Sequence, residues 1–255
     1  MAEVSPGVAG QFEWRAMPVG RVLLSSALAP LASHLFSSRD ASPPGVHQPD
    51  YDALARSLGV ETTQVVCMRQ VHGRDVLIVR EGEAVDPKAA ADTVVSFDPA
   101  RAVLVRVADC VPILLADRHR RVVAAVHAGW RGTAAGVVSA AVAAIEASGV
   151  PATDLIAAIG PSIGPCCYQV DASVRDQFLA SHIGADRWFA ADREDRWRLD
   201  LRQANQAQLQ RCGLRATDIH DASACTADAP HLWYSHRRQG TAAGRMVAAI
   251  RLKAD

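Results

Sequence analysis

The chain is expected to fold as a single α+β domain over residues 1–255, with packed mixed or antiparallel β-sheets flanked by helices. Three features predict this. Six short β-branched runs follow one another between residues 62 and 126, regular βαβ crossovers are scarce among them, and helical periodicities collect after residue 133. With 255 residues, 49% of them hydrophobic, the chain can bury one sizeable core.

Residues 1–20 and 37–50 are rich in Pro, Gly and Ser and are expected to be loops. "YDALARSLGV" (51–60) has helical spacing closed by Gly59. The strand runs are "TTQVVCM", "DVLIV", "DTVVSF", "AVLVRV", "VPILLA" and "RVVAAV". At "TAAGVVSAAVAAIEASGVP" (133–151) the period changes to a small-residue, buried helix stopped by Gly149 and Pro151. "LIAAIG" returns to strand. "DASVRDQFLAS" and "DLRQANQAQLQRCG" are amphipathic helices, the second opened by Asp200 with Gln203 and closed by Gly213, and "GRMVAAIRL" is a last strand.

Lys plus Arg and Asp plus Glu are equal at 27 each, so no overall field recruits nucleic acid or an anionic membrane. The expected partners are small molecules, and the chain is expected to be a monomer. Six cysteines lack the spacing of a secreted disulfide framework, and most are expected to be reduced. The apolar stretch at 21–32 starts late, follows Glu3 and Glu13 and is broken by Pro30, unlike a signal peptide. The expected compartment is the cytoplasm.

"AVHAGWRGTAAG" (125–136) ends an apolar run on His127 and continues into Gly-Trp-Arg-Gly. If "DRHR" (117–120) is a four-residue hairpin loop, Cys110 lies directly opposite His127, with β-carbons about 5 Å apart. Thiolate and imidazole favour Zn²⁺ over copper, and three protein ligands leave a corner free for chemistry. The third candidate is His72 in "RQVHGRD", which also ends an apolar run before glycine. Taken singly, such a histidine is more often a hydrogen-bonded turn residue, and a lone cysteine more often core packing.

Nearby, Asp109 is a candidate to orient a ligand imidazole or carry a proton, against an ordinary role in a turn or cap. Arg131 and Gly132 precede the helix expected from Thr133, whose free amides suit an anion such as phosphate. Trp130 offers a face to a planar base, or plugs the core edge.

The blocks "RQVHG", "VADCVPILL", "AVHAGWRG", "IGPSIGPCCYQV" and "SHRRQGTAAGRM" resemble, in order, the signatures of the YfiH family, over about residues 64 to 250. Its members are also catalogued as multicopper polyphenol oxidases, purine nucleoside phosphorylases and peptidoglycan editing factors. The resemblance implies metal ligation by His72, Cys110 and His127. It also implies a zinc-dependent enzyme for phosphorolysis of adenosine, inosine, guanosine and methylthioadenosine and for deamination of adenosine, on a cysteine-hydrolase-like fold. Two departures stand out: "FSSRDASPPGVHQPD" keeps Arg39 but lacks the family's glycine pair, and "TAAGRM" replaces a compact Thr-Gly-Arg-Met.

"GPSIG" (160–164) fits G-x-S-x-G, but Pro165 follows where a helix should begin. Neither the H-x-E…P-C-x-x-C set of cytidine-type deaminases nor H-E-x-x-H is present, and the nine histidines are too scattered for a copper oxidase. A metal-free Cys110–His127 hydrolase stays open, as does cell-wall precursor editing. A closed structural metal site would need a fourth ligand such as Cys166.

Overall fold

The computed structural model describes residues 11–42, 48–86 and 88–253. From the N-terminus run β1 (Phe12–Met17), β2 (Gly20–Ser25), β3 (Ala32–Ser37), α1 (Tyr51–Leu58), β4 (Val65–Val66) and β5 (Val76–Val79). Then come β6 (Thr93–Ser96), β7 (Ala102–Val107), β8 (Val111–Asp117), β9 (Val123–Ala128), α2 (Trp130–Ala135), α3 (Val137–Glu146) and β10 (Leu155–Ile159). The C-terminal part holds β11 (Gln169–Asp171), α4 (Ala172–Ser181), β12 (Phe189–Arg193), β13 (Arg196–Leu199), α5 (Leu201–Arg211), β14 (Ile219–Asp221), α6 (His236–Gln239) and β15 (Met246–Leu252).

The strands form two six-stranded sheets and one of three. The first runs β1-β2-β3-β15-β7-β4 and the second β14-β10-β8-β9-β6-β5, while β11-β13-β12 is a separate antiparallel patch. The pairs β4–β7, β5–β6 and β10–β14 are parallel, so both large sheets are mixed.

Period-two alternation sorts each strand's side chains between two cores. Leu114 and Ala116 of β8, with Val123 and Ala125 of β9, meet Phe36, Val103, Val105 and Ile250 of the first sheet. Ile113 and Leu115, on the other face of β8, pack on Val138, Ala141, Val142 and Ile145 of α3 and on Leu209 of α5. The outer face of the first sheet is covered by Leu54 and Leu58 of α1. The result is helix, sheet, sheet, helix, which is why β8 and β9 are buried at every position.

Capping follows the sequence closely. Asp50, Asp171 and Asp200 each accept a backbone N–H in the first turn of α1, α4 and α5, and Gly59 closes α1 at φ 69°.

Three expectations need correction. The segment 11–20, expected as loop, contains β1, and residues 20–37 pair behind it as β2 and β3; residues 1–10 and 43–47 lie outside the described residues. "TTQVVCM" contributes only the two-residue β4 after a 3₁₀ turn. The helix expected over 133–151 starts earlier, at Trp130, and breaks at Gly136, whose φ of 83° ends α2 and starts α3. Only a residue without Cβ adopts that angle cheaply. Among the described residues no helix is long and apolar enough to cross a membrane.

Candidate metal centre

The link from β4 to β5, the link from β7 to β8 and the end of β9 meet at one point. His72, Cys110 and His127 reach it from these three places, and their ligand atoms all lie within 4.8 Å of one another. The two imidazoles meet edge to face, with centroids 4.9 Å apart.

The hairpin that brings Cys110 to His127 has a different register from the one expected. His127 pairs with Pro112 and Ala128 with Val111, two residues away from a Cys110–His127 pairing. The cause is Asp117. Its buried carboxylate accepts from the backbone N–H of Arg121 at 3.0 Å and from that guanidinium at 2.8 Å twice, which keeps Asp117 in β8 and moves the loop to 118–121. A slip of two conserves the face of a strand, so Cys110 becomes a diagonal neighbour of His127. Gly129 allows this approach: a Cβ there would lie 2.9 Å from His72 Cδ2 and 3.0 Å from Cys110 Sγ.

Asp92, fully buried, holds the two histidines in place. Its Oδ1 accepts from the His72 N–H at 2.9 Å and lies 2.7 Å from His127 Nδ1. Oδ2 accepts from the N–H groups of Val71 at 3.2 Å and Gly73 at 2.6 Å, and the Asp92 carbonyl accepts from the His127 N–H at 2.7 Å. His72 itself sits at φ 60°, an angle that this array of amide contacts sustains. Burial alone would raise the Asp92 carboxyl, but His127 and the two amides of Gly73 and His72 bring it below its ordinary value. With Nδ1 bonded to a carboxylate, His127 is left to use Nε2 as a ligand.

Burial would push the Cys110 thiol up, yet the charge on His127 and hydrogen bonds from both histidines outweigh it and lower it to about 6. For His127 burial acts downward, and the Cys110 charge with the Asp92 contact raises it to about 9. A thiolate and two imidazoles whose donor atoms converge behind a glycine fit a soft or borderline cation. Cys166 is not part of this group; it clusters with Cys167 and Cys225.

Asp109 does not orient a ligand imidazole, because its oxygens accept from Thr226 Oγ1 at 2.6 Å, Ser235 Oγ at 3.1 Å and the Arg237 N–H at 2.6 Å. It stands at φ 88° and fixes the corner before Cys110. The amide of Thr133, expected to be free, donates to the Gly129 carbonyl at 2.8 Å. Gly132 is buried against the His72 turn, where a Cβ would come within 2.8 Å of the Gly73 carbonyl, and it lies outside the cavity lining. Ser162 is buried and followed by a turn, unlike a nucleophile elbow.

A cavity of about 680 Å³ opens onto the three donors. Trp130 and Arg131 line it, the guanidinium 4.4 Å above the indole ring. Sequence reasoning left out Gln70, Arg106, Tyr168, His236, Arg237 and Arg245, which also line it. The density of cationic residues in "SHRRQGTAAGRM" was the available signal for the last three.

Residues 36–253 match the family described as multi-copper polyphenol oxidoreductase laccase. The purine nucleoside phosphorylase SCO2081 of Streptomyces coelicolor is 37% identical over 211 residues, 81% of this chain and 83% of that one. Adenosine deaminase RL5, from an unknown prokaryotic organism, is 32% identical over 205 residues, 77% of this chain and 78% of that one. The crystal structure of the hypothetical protein YfiH of Bacillus licheniformis superposes with a TM-score of 0.82 at 27% identity, covering 96% of this chain and 100% of the other. With its fold, its ordered motifs and its length all matched, the chain belongs to the YfiH family of multi-copper polyphenol oxidoreductase-like proteins.

Proposed function

We propose that the chain is a zinc-dependent purine nucleoside enzyme, carrying out phosphorolysis of adenosine, inosine, guanosine and methylthioadenosine and hydrolytic deamination of adenosine. The observation that carries the reading is the convergence of two imidazoles and a low-pKa thiol on one wall of a nucleoside-sized cavity. Relatives named purine nucleoside phosphorylase and adenosine deaminase support the substrate class.

His72, Cys110 and His127 would hold the ion, which when bound supplies Lewis acidity toward water or a substrate oxygen. Asp92 keeps the His127 ring oriented. Trp130 gives the purine a flat surface at the cavity wall, and Arg131 carries positive charge there for inorganic phosphate. Asp109 is assigned a positioning role: its three accepted hydrogen bonds tie the Thr226 and Ser235–Arg237 segments to the metal corner, so that Arg237 faces the cavity. Deamination adds water at purine C6 and releases ammonia; phosphorolysis joins phosphate to the anomeric carbon of ribose and releases the base.

One observation favours a second reading, a metal-free hydrolase. The opposed shifts of Cys110 and His127 describe a thiolate–imidazolium pair, the arrangement of an activated sulfur nucleophile. A single experiment separates the two. Purified protein is analysed for metal and incubated with adenosine, with and without phosphate, before and after chelation. Zinc is expected, with adenine released only when phosphate is present, inosine formed in either case and passed on to hypoxanthine when phosphate is present, and all products lost on chelation and in His72→Ala. Activity that survives complete removal of metal rejects the zinc reading.

A further inference from the structure

The loop 161–168 contributes to two cavities. Ile163 and Tyr168 line the one just described, whereas Pro165 and Cys166 line another of about 390 Å³ together with Cys225, Arg202 and Asp228. At this second place three sulfurs gather. Cys166, Cys167 and Cys225 put their Sγ atoms within 4.8 Å of one another, Cys225 arriving on the segment that bridges to Ser162. None of them lines the nucleoside cavity.

The surroundings of the trio suit negative charge. The Gly164 N–H donates to Cys225 Sγ at 3.2 Å. Arg202 lies against the same glycine: a Cβ there would be 3.3 Å from Arg202 Nη2 and 3.4 Å from Cys166 Sγ. Its Nη1 is buried without a hydrogen-bond partner, and the carboxylate paired with it, Asp221, is 3.9 Å away. A half-buried guanidinium with one nitrogen enclosed and so incompletely paired gains from further negative charge close by.

The three sulfurs are the groups in place to provide that charge.

We propose that Cys166, Cys167 and Cys225 form a second, all-sulfur metal site that takes a soft d¹⁰ cation such as Cu(I) in three-coordinate geometry. Three sulfurs bonded to one ion at about 2.3 Å stand about 4 Å apart, a spacing compatible with a cluster whose sulfurs all lie within 4.8 Å of one another. Thiolates select soft cations, and no histidine or carboxylate completes a fourth corner among the described residues. Binding exchanges three thiol protons for one monovalent cation, with no change of oxidation state. The net charge of −2 then stands beside Arg202, which offsets part of it. Because Thr226, next to Cys225, donates to Asp109, the ion would also brace the wall of the nucleoside cavity from behind.

The test uses the full chain, reduced and metal-free, carrying Cys110→Ser so that the first site has no sulfur. It is titrated anaerobically with Cu(I) buffered by bicinchoninate, following sulfur-to-copper charge transfer in the ultraviolet. Uptake of about one equivalent is expected, with the charge-transfer band, and both persist when Cys212→Ser is added. Adding Cys166→Ser or Cys225→Ser abolishes them. No uptake in the Cys110→Ser protein, or uptake unchanged after Cys166 and Cys225 are replaced, overturns the proposal. Cys166→Ser decides the matter if Cys225→Ser fails to fold, because the Cys166 side chain is exposed.

Discussion

Asp92 shows how much of a site one side chain can set. Four donors converge on its two oxygens, one of them an imidazole whose other nitrogen is left for the proposed cation. Asparagine is nearly the same size but replaces one oxygen with an NH₂ group, which sets donor against donor at Gly73 or at His127. Asp92→Asn is therefore expected to lower zinc affinity about 10–100-fold, read by competition with a chromogenic chelator, while circular dichroism stays native. An affinity equal to that of the parent would remove Asp92 from the site. The three proposed ligands were legible because their side-chain types announce metal chemistry and each histidine precedes a glycine or small residue. Asp92 was not, since an aspartate ahead of a strand looks like any turn residue until four donors are seen around it. Asp109 drew attention instead by adjacency in sequence, and adjacency does not report where a carboxylate points.

At the level of elements, legibility followed burial pattern. Strands buried on both faces, such as β7, β8 and β9, wrote their hydrophobic runs plainly, whereas β1, with alternate exposed residues such as Glu13 and Arg15, resembled loop. The break at Gly136 was hidden inside an alanine-rich run, where glycine reads as one more small residue until its φ is known. The β2–β3 pair also contains a proton-linked element that the sequence did not reveal. His34, buried in β3, accepts the Ser25 N–H through Nε2 at 2.8 Å, with Nδ1 3.2 Å from the Ala32 carbonyl. Burial lowers its pKa to about 4, assisted by Lys253 and opposed by the Ala32 contact. The unfolded chain, with an ordinary value of about 6.5, then binds more protons than the native one between these limits, so stability rises with pH across that interval. Acidification from pH 7 to 4.5 should cost about 2 kcal/mol through this residue, because the buried ring resists the charge and protonation removes the acceptor facing Ser25. Urea unfolding of the parent and His34→Gln over that range checks it: the variant starts less stable but loses less on acidification. Parallel losses in the two proteins would place the proton linkage elsewhere.

The whole molecule is built so that the candidate centre lies where its two large sheets exchange chain. His72 follows β4 of the first sheet and precedes β5 of the second, Cys110 stands between β7 and β8 in the same sense, and His127 ends β9. A cation shared by the three would hold both crossovers and the start of α2 at one point, whereas side-chain packing holds the rest of the interface. The two contributions differ in kind. Apolar burial between the sheets is present with or without the ion, but binding to the native state alone adds stability by mass action. With free zinc at about 100 times its dissociation constant the addition is about 2.7 kcal/mol. For a domain of this size that is a rise in Tm of about 5–10 °C. Removing zinc with EDTA should therefore lower the midpoint by that amount without loss of two-state unfolding, since the apolar cores remain. In His72→Ala, which lacks a ligand but disturbs no core residue, the chelator should produce no further shift. A chelator effect of equal size in that variant would mean that the stabilising ion binds somewhere other than at the meeting of the two crossovers.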